Sequence, residues 1–171
     1  SLTKILVSVP LIIKEFETNN LNLDTKLGEL FPDFELFNKK DLKIDEILSH
    51  NGRLIPWIPF YKETLDSVSK KQLKQHYSNE KNKNFSIEVR KGLFMRDWND
   101  TIFKRIINSP LLEKKEYKYS DLPYYFIKKY LEEKYSSSLD NLVKNYIFSK
   151  IGANTLSYNP NINSDIKSIV P

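Results

Sequence analysis

Ser1-Leu2-Thr3-Lys4, followed by Ile5-Leu6-Val7-Ser8-Val9-Pro10-Leu11-Ile12-Ile13, joins a hydroxyl and an amine to an apolar run. On a helix, residues three apart share a face, so Ser1 and Lys4 would stack one turn apart. An amine within reach of a hydroxyl is a nucleophile beside its base. The apolar run behind them suits a buried helix, expected from about Leu2 to Glu17 and ended by Asn19-Asn20. Pro10 cannot donate to the carbonyl of Leu6, so a kink is expected there, at a cost of ~3 kcal/mol if unrelieved. A Ser-x-x-Lys tetrad alone arises by chance in many chains, and its bland reading is a polar first turn. The rest of the chain has to decide.

Working outward, Leu21-Asn22-Leu23-Asp24-Thr25-Lys26-Leu27-Gly28-Glu29-Leu30-Phe31-Pro32 comes next, then Ile44-Asp45-Glu46-Ile47-Leu48-Ser49-His50 with Gly52. About 115 residues after the tetrad stands Tyr119-Ser120-Asp121, at the start of a helical pattern. Ile147-Phe148-Ser149-Lys150-Ile151-Gly152-Ala153-Asn154-Thr155 and Tyr158-Asn159-Pro160 follow. In that order and spacing the chain resembles the family of class C β-lactamases, serine DD-peptidases and related esterases. Those proteins show Ser-x-x-Lys on a buried helix, a Leu-Asp-x-Lys-Leu…Pro turn and Ile-x-x-Leu-Leu-Ser-His-x-Ser-Gly-Leu. They then carry Tyr-Ser-Asn and Pro-Leu-Gly-Met…Thr…Pro. Five ordered landmarks are far more specific than the tetrad. The stretches from Leu48 to Tyr61 and from Tyr117 to Tyr125 look like a Bacteroidetes branch, in which this domain is often fused behind a family 3 glycoside hydrolase.

The resemblance implies an all-α lobe packed against an α/β lobe, with the active site in the crevice between them. This chain is expected to be mainly α: the all-helical lobe of that fold, lacking the α/β lobe's sheet and its Lys- or His-x-Gly strand. Lys26-Leu27-Gly28 and Lys150-Ile151-Gly152 spell the missing motif but lie in a turn and at a helix end. By resemblance Ser1 is the nucleophile and Lys4 the base, or the group that stabilises the alkoxide. Tyr119 shares the proton relay, and Asp121 contacts Lys4 or substrate. An ordinary lysine, with a pKa near 10.4, serves as a base only if burial or neighbouring positive charge lowers that value. Asp121 stands where the family carries Asn, which removes an amide donor and can add a negative charge beside Lys4. Asn51-Gly52-Arg53-Leu54 replaces Ser-Gly-Leu, and 67–97 reads as a family-specific insertion within one domain, 1–171.

The expected substrate is a small molecule or a peptidoglycan stem peptide, an amide or ester acylated on Ser1, in the bacterial periplasm or cell envelope. The chain reads as a fragment beginning at its own nucleophile, inactive by itself because the strand donor of the oxyanion hole is missing. Its partner is the missing α/β lobe. The competing reading is a non-catalytic domain that binds peptidoglycan or a protein.

Composition narrows the field. With 171 residues, 40% apolar and 29% charged, the chain has the balance of a globular domain. Cysteine is absent, which excludes disulfides and thiol catalysis. Two distant histidines make a poor metal site, and neither a metal nor a cofactor is expected. The net charge of +5 is scattered among acidic residues rather than gathered in a stripe, which argues against nucleic acid. No apolar run approaches the ~18–20 residues of a membrane span. His50 reads as a hydrogen-bonded loop residue; a polar helix is expected over Thr64 to Gln75, and His76 reads as a solvent-facing residue of a polar helix. A short strand is expected at Phe85–Val89, and helices over about Ile44–His50, Asp100–Ile107 and Ser120–Tyr135. A last helix is expected after a Ser138 cap, with Leu139, Leu142, Val143, Tyr146 and Ile147 inward and Gly152 at its end. The tail 159–171 reads as loop.

Overall fold

The computed structural model describes residues 2–32 and 38–158. Ser1 and the tail 159–171 lie outside the described residues. In chain order, a π-helical turn Lys4–Ser8 leads into α1 (Val9–Glu17), and α2 (Leu27–Leu30) and α3 (Ile44–Leu48) follow. A 3-10 turn Phe60–Thr64 precedes β1 (Tyr77–Ser78), β2 (Ile87–Arg90) and β3 (Leu93–Met95). Then come α4 (Asn99–Ile107), α5 (Pro123–Tyr135), α6 (Leu139–Val143) and a second π turn, Lys144–Phe148. Helix outweighs strand, 41% to 11%. The chain divides into two compact units, one of Ser1–Ile58 with Phe103–Leu156, the other built on Pro59–Ile102.

The first unit is helical because its apolar residues recur at helical spacing. In α5, Pro123 occupies the first turn, where its missing N–H costs nothing. Pro123, Phe126, Ile127 and Leu131 form the buried face, and burying each of the three larger side chains stabilises the fold by roughly 1.5–3 kcal/mol. Phe126 meets Phe31 and Phe103 with ring centroids 6.2 and 5.4 Å away, in tilted and edge-on contacts. Lys39 is fully buried, and its ammonium donates to Asn38 Oδ1, the Ile107 carbonyl and the Ser109 carbonyl at 2.8, 3.0 and 2.6 Å. It thereby satisfies carbonyls at the open end of α4, and burial pulls its pKa down to about 8.

Pro10 is accommodated by the π turn: the Val9 N–H reaches back five residues to the Lys4 carbonyl, and α1 then runs on through Pro10. The wider turn leaves room for the ring, where the sequence suggested a kink. A second π turn shifts the phase after α6, so Phe148 is buried and Ile147 only half-buried. Ser138 sits at the N-cap position of α6 without a capping bond from its side chain, and the Glu132 carboxylate accepts the Leu139 N–H, at 2.8 Å. Gly152, at φ +72°, takes the left-handed turn that follows.

The second unit carries the three strands found among the described residues, an antiparallel sheet in the order β1-β3-β2. Tyr77 and Ile87 both lie opposite Met95, and a bulge falls between Glu88 and Arg90. The stretch 67–97 lies inside this unit. The helix expected over Thr64–Gln75 is absent. Asp66 accepts from the Val68 and Ser69 amides and from the Ser69 hydroxyl, and Lys70 takes a positive φ. Such local side-chain bonds compete with helix formation, and here they win. His76 is therefore neither helical nor solvent-facing. It is half-buried edge-on against Trp98, with ring centroids 4.9 Å apart.

Candidate active site

The site lies in the first unit and is assembled from three pieces: the first π turn, the loop after α3, and the segment 117–122 that leads into α5. Helix α3 ends in a Schellman motif, with the Asn51 N–H on the Glu46 carbonyl at 2.8 Å and the His50 N–H on the Ile47 carbonyl at 3.3 Å. His50 takes the left-handed position usually given to glycine, at φ +60°. The chain then runs alongside the later segment. The Leu112 N–H donates to the Arg53 carbonyl at 2.7 Å, and the Lys118 N–H to the His50 carbonyl at 3.0 Å. The Asp121 N–H donates to the Pro56 carbonyl at 2.9 Å, and the buried Ser120 hydroxyl to the Ile55 carbonyl at 2.7 Å.

This docking brings Tyr119 and Asp121 to Lys4 across 117 residues of sequence. Lys4 is buried, and its ammonium lies 2.5 Å from Asp121 Oδ1. The same oxygen accepts from the Tyr119 hydroxyl at 3.4 Å. The ammonium also lies 5.3 Å from the Tyr119 ring centroid and 5.1 Å from that of Tyr124, within cation–π range. Burial works to lower the Lys4 pKa, but hydrogen bonding and charge from Asp121 and Tyr119 outweigh it and raise the value. Lys4 is thus held as a cation. Of the four site residues expected from sequence, Lys4, Tyr119 and Asp121 converge, and Ser1 lies outside the described residues.

Sequence reasoning passed over Tyr124 as the second aromatic face against Lys4, and nothing in its local sequence singles it out. It also gave Ser120 no role beyond its place in the motif. The Ser120 hydroxyl accepts the Leu122 N–H at 3.2 Å as it donates to Ile55, so it ties the arm's turn to the neighbouring strand-like run. His50 Nδ1 accepts the Ser120 N–H at 3.3 Å. An accepting nitrogen carries no proton, which makes the ring neutral with hydrogen on Nε2. Burial, then the nearby Lys4 charge, hold the His50 pKa below its ordinary value against the opposing pull of Asp121. Among the described residues no group of three or more metal-ligating side chains is gathered, and no helix is long and apolar enough to cross a membrane.

No protein-family model matches the sequence, and no curated protein sequence matches it. Solved structures do. A class C β-lactamase from Rhodobacter sphaeroides superposes with a TM-score of 0.58 at 16% identity, over 89% of this chain and 34% of that one. A protein from Bacteroides dorei DSM 17855 assigned as a β-lactamase superposes with a TM-score of 0.50 at 14% identity, over 78% and 32%. EstCE1, a hydrolase with promiscuous acyltransferase activity, is matched with a TM-score of 0.47 at 15% identity, over 81% and 33%. The chain spans about a third of the length of these structures. Together with the helical first unit, the two better superpositions show a β-lactamase-like fold over the part that is matched.

Proposed function

We propose that this chain is the helical part of a serine acyl hydrolase that opens an amide or ester through an acyl-enzyme on Ser1. The observation that carries the reading is the convergence of Tyr119 and Asp121 on the buried Lys4 within this fold. The raised pKa of Lys4 favours a fixed cation over a general base. A cation held in place before the reaction stabilises negative charge as it develops on the serine oxygen or the Tyr119 oxygen. As the Tyr119 hydroxyl passes its own proton to the Asp121 carboxylate it is bonded to, its oxygen takes the Ser1 proton; the reverse shift protonates the leaving group and restores the carboxylate that keeps Lys4 in position. A small-molecule or peptidoglycan-peptide substrate and a periplasmic or envelope location accompany this reading.

The partner we propose is the complementary α/β lobe, which would bring the strand donor of the oxyanion hole. Two observations support it. The chain spans about a third of the length of its structural matches, and Leu2, Ile5, Leu6 and Ile13 stand exposed along the N-terminal helix. Without that lobe we expect no turnover.

The test is intact-mass analysis of the chain, and of the longest natural protein that contains it, after exposure to a penicillin and to a fluorophosphonate. The expected result is an adduct on the peptide beginning at Ser1 in the longer protein, absent from a Ser1→Ala variant. Hydrolysis by the short chain, blocked by Ser1→Ala, would overturn the claim of inactivity. One observation favours a second reading, a non-catalytic binding domain: the Asp121 carboxylate occupies Lys4 directly. A folded longer protein labelled by neither reagent would select it.

A further inference from the structure

His50 is held where a glycine would be easier. As the residue after the cap of α3 it sits at φ +60°, a conformation that carries a steric cost for a side chain with a Cβ. His, Asn and Asp tolerate it better than most residues. The left-handed turn aims the imidazole at the segment carrying Tyr119 and Asp121. Its ring centroid lies 4.6 Å from that of Tyr119, 6.0 Å from Tyr117 and 6.2 Å from Tyr124. Its Nδ1 meets the Ser120 N–H, and its carbonyl meets the Lys118 N–H. Ser120 is the residue between the two that contact Lys4. The imidazole therefore grips the middle of the arm whose flanks make the site.

We propose that His50 is the positioning residue of this site: its neutral ring holds the Tyr119–Asp121 arm on Lys4, and protonation of Nδ1 releases that arm. The chemistry is direct. A protonated Nδ1 would point a hydrogen at the Ser120 N–H, turning an attraction between donor and acceptor into a clash of two donors. It would also set a second cation near Lys4. The ionisable groups facing the ring are Lys4 from the π turn, Tyr117, Tyr119 and Asp121 from the arm, and Tyr124 from α5. Of these only Asp121 favours the imidazolium, and its carboxylate is already engaged by Lys4. His50 needs no contact with substrate for this role, since it acts through Ser120. Its bearing on acyl transfer rests on the function proposed above, but its grip on the arm can be measured without any turnover.

The experiment is heteronuclear NMR on the 171-residue chain, following the His50 ring nitrogens, the Ser120 amide and the Lys4 side chain across pH. The expected result is an Nε2–H tautomer at neutral pH, with the Ser120 amide and the Lys4 signals shifting together as His50 titrates, at a midpoint below about 6.5. His50→Gly supplies the residue the backbone prefers, so it separates the helix end from the imidazole. It should keep the fold and move the Lys4 titration downward, because burial then acts with less of Asp121 to oppose it. His50→Asn retains a side-chain acceptor and tolerance of positive φ. It should restore a Lys4 titration like that of the unaltered chain and abolish the coupled shift below pH 7. An Nδ1–H tautomer, or a folded His50→Gly chain whose Lys4 titration does not move, would sink the proposal. If His50→Gly does not fold, the tautomer and the coupled shifts in the unaltered chain still decide. Failure of Ser1 to acylate would count against the enzyme reading and leave this result untouched.

Discussion

Asp121 is the single residue on which the chemistry of the site turns. Its carboxylate is half exposed, while the Lys4 side chain it pairs with is almost fully covered. The pair is therefore worth more in setting the state of Lys4 than in holding the chain together: replacing one partner of so exposed a carboxylate costs up to about 1 kcal/mol. Asp121→Asn removes the charge and supplies the amide that the resembling family carries. Lys4 then keeps its burial but loses a charged partner, so its titration should move down, toward the range where an amine can act as base. The linkage has a definite sign. A folded-state lysine pKa raised above the unfolded value adds stability that is complete below the unfolded pKa and is lost as pH climbs through the folded one. Chemical denaturation at neutral pH and near pH 11 should show a smaller alkaline loss of stability in Asp121→Asn than in the unaltered chain. An unchanged alkaline limb would mean that the pair does not set the charge of Lys4.

Between elements, a buried polar cluster fastens α1 to α5. Glu15 is fully buried and accepts from the Tyr130 hydroxyl at 3.1 Å, from the Tyr135 hydroxyl and from Lys134. Burial alone would raise its pKa, but the bonds from Lys134, Tyr135 and Tyr130 together lower it, and the same carboxylate drives the Tyr135 phenol well above its ordinary range. A depressed carboxylate adds stability that is present above its unfolded pKa and disappears as pH falls through the folded value. Glu15→Ala should destabilise the chain by about 3 kcal/mol, because Lys134 and two hydroxyls lose a buried partner. Its acid unfolding limb should be shallower than that of the unaltered chain. A thermal midpoint within a degree of the original would reject the clamp. None of this was legible beforehand, because Glu15 meets its partners across more than 110 residues and periodicity says nothing of such pairings. What was legible was local: Tyr119-Ser120-Asp121 is contiguous, the helix expected over Ser120–Tyr135 is where α5 runs, and the strand expected at Phe85–Val89 is overlapped by β2 from Ile87. The misread helix after Thr64 failed for an equally local reason, since the Asp66 carboxylate outcompeted backbone bonds that composition had favoured. The role of His50 stayed hidden because it depends on a left-handed turn and on an amide 70 residues away.

At the scale of the whole chain, the N-terminal helix is the discordant part. Its sequence is apolar on nearly every side, which suits a helix covered all round. One side is indeed packed, with Val7, Leu11 and Ile12 almost fully buried. Along the rest of it Leu2, Ile5, Leu6 and Ile13 are 68, 64, 40 and 48% exposed. Contiguous exposed apolar surface of this kind marks a place where something docks, or else a liability to aggregate. The fold gives a reason to expect docking, because the structures it resembles continue for about twice as many residues again as the part matched here. The 171-residue chain alone should therefore bind an environment-sensitive apolar dye and self-associate with rising concentration in sedimentation velocity. Ile5→Lys with Ile13→Lys should suppress both without lowering the thermal midpoint, since neither side chain is part of the core. In the longest natural protein that contains the chain, the same pair of lysines should instead destabilise, because there the face would be covered. If the short chain is monomeric and dye-silent at high concentration, this helix face is not a docking surface, and the case for a complementary lobe falls back on the fold comparison alone.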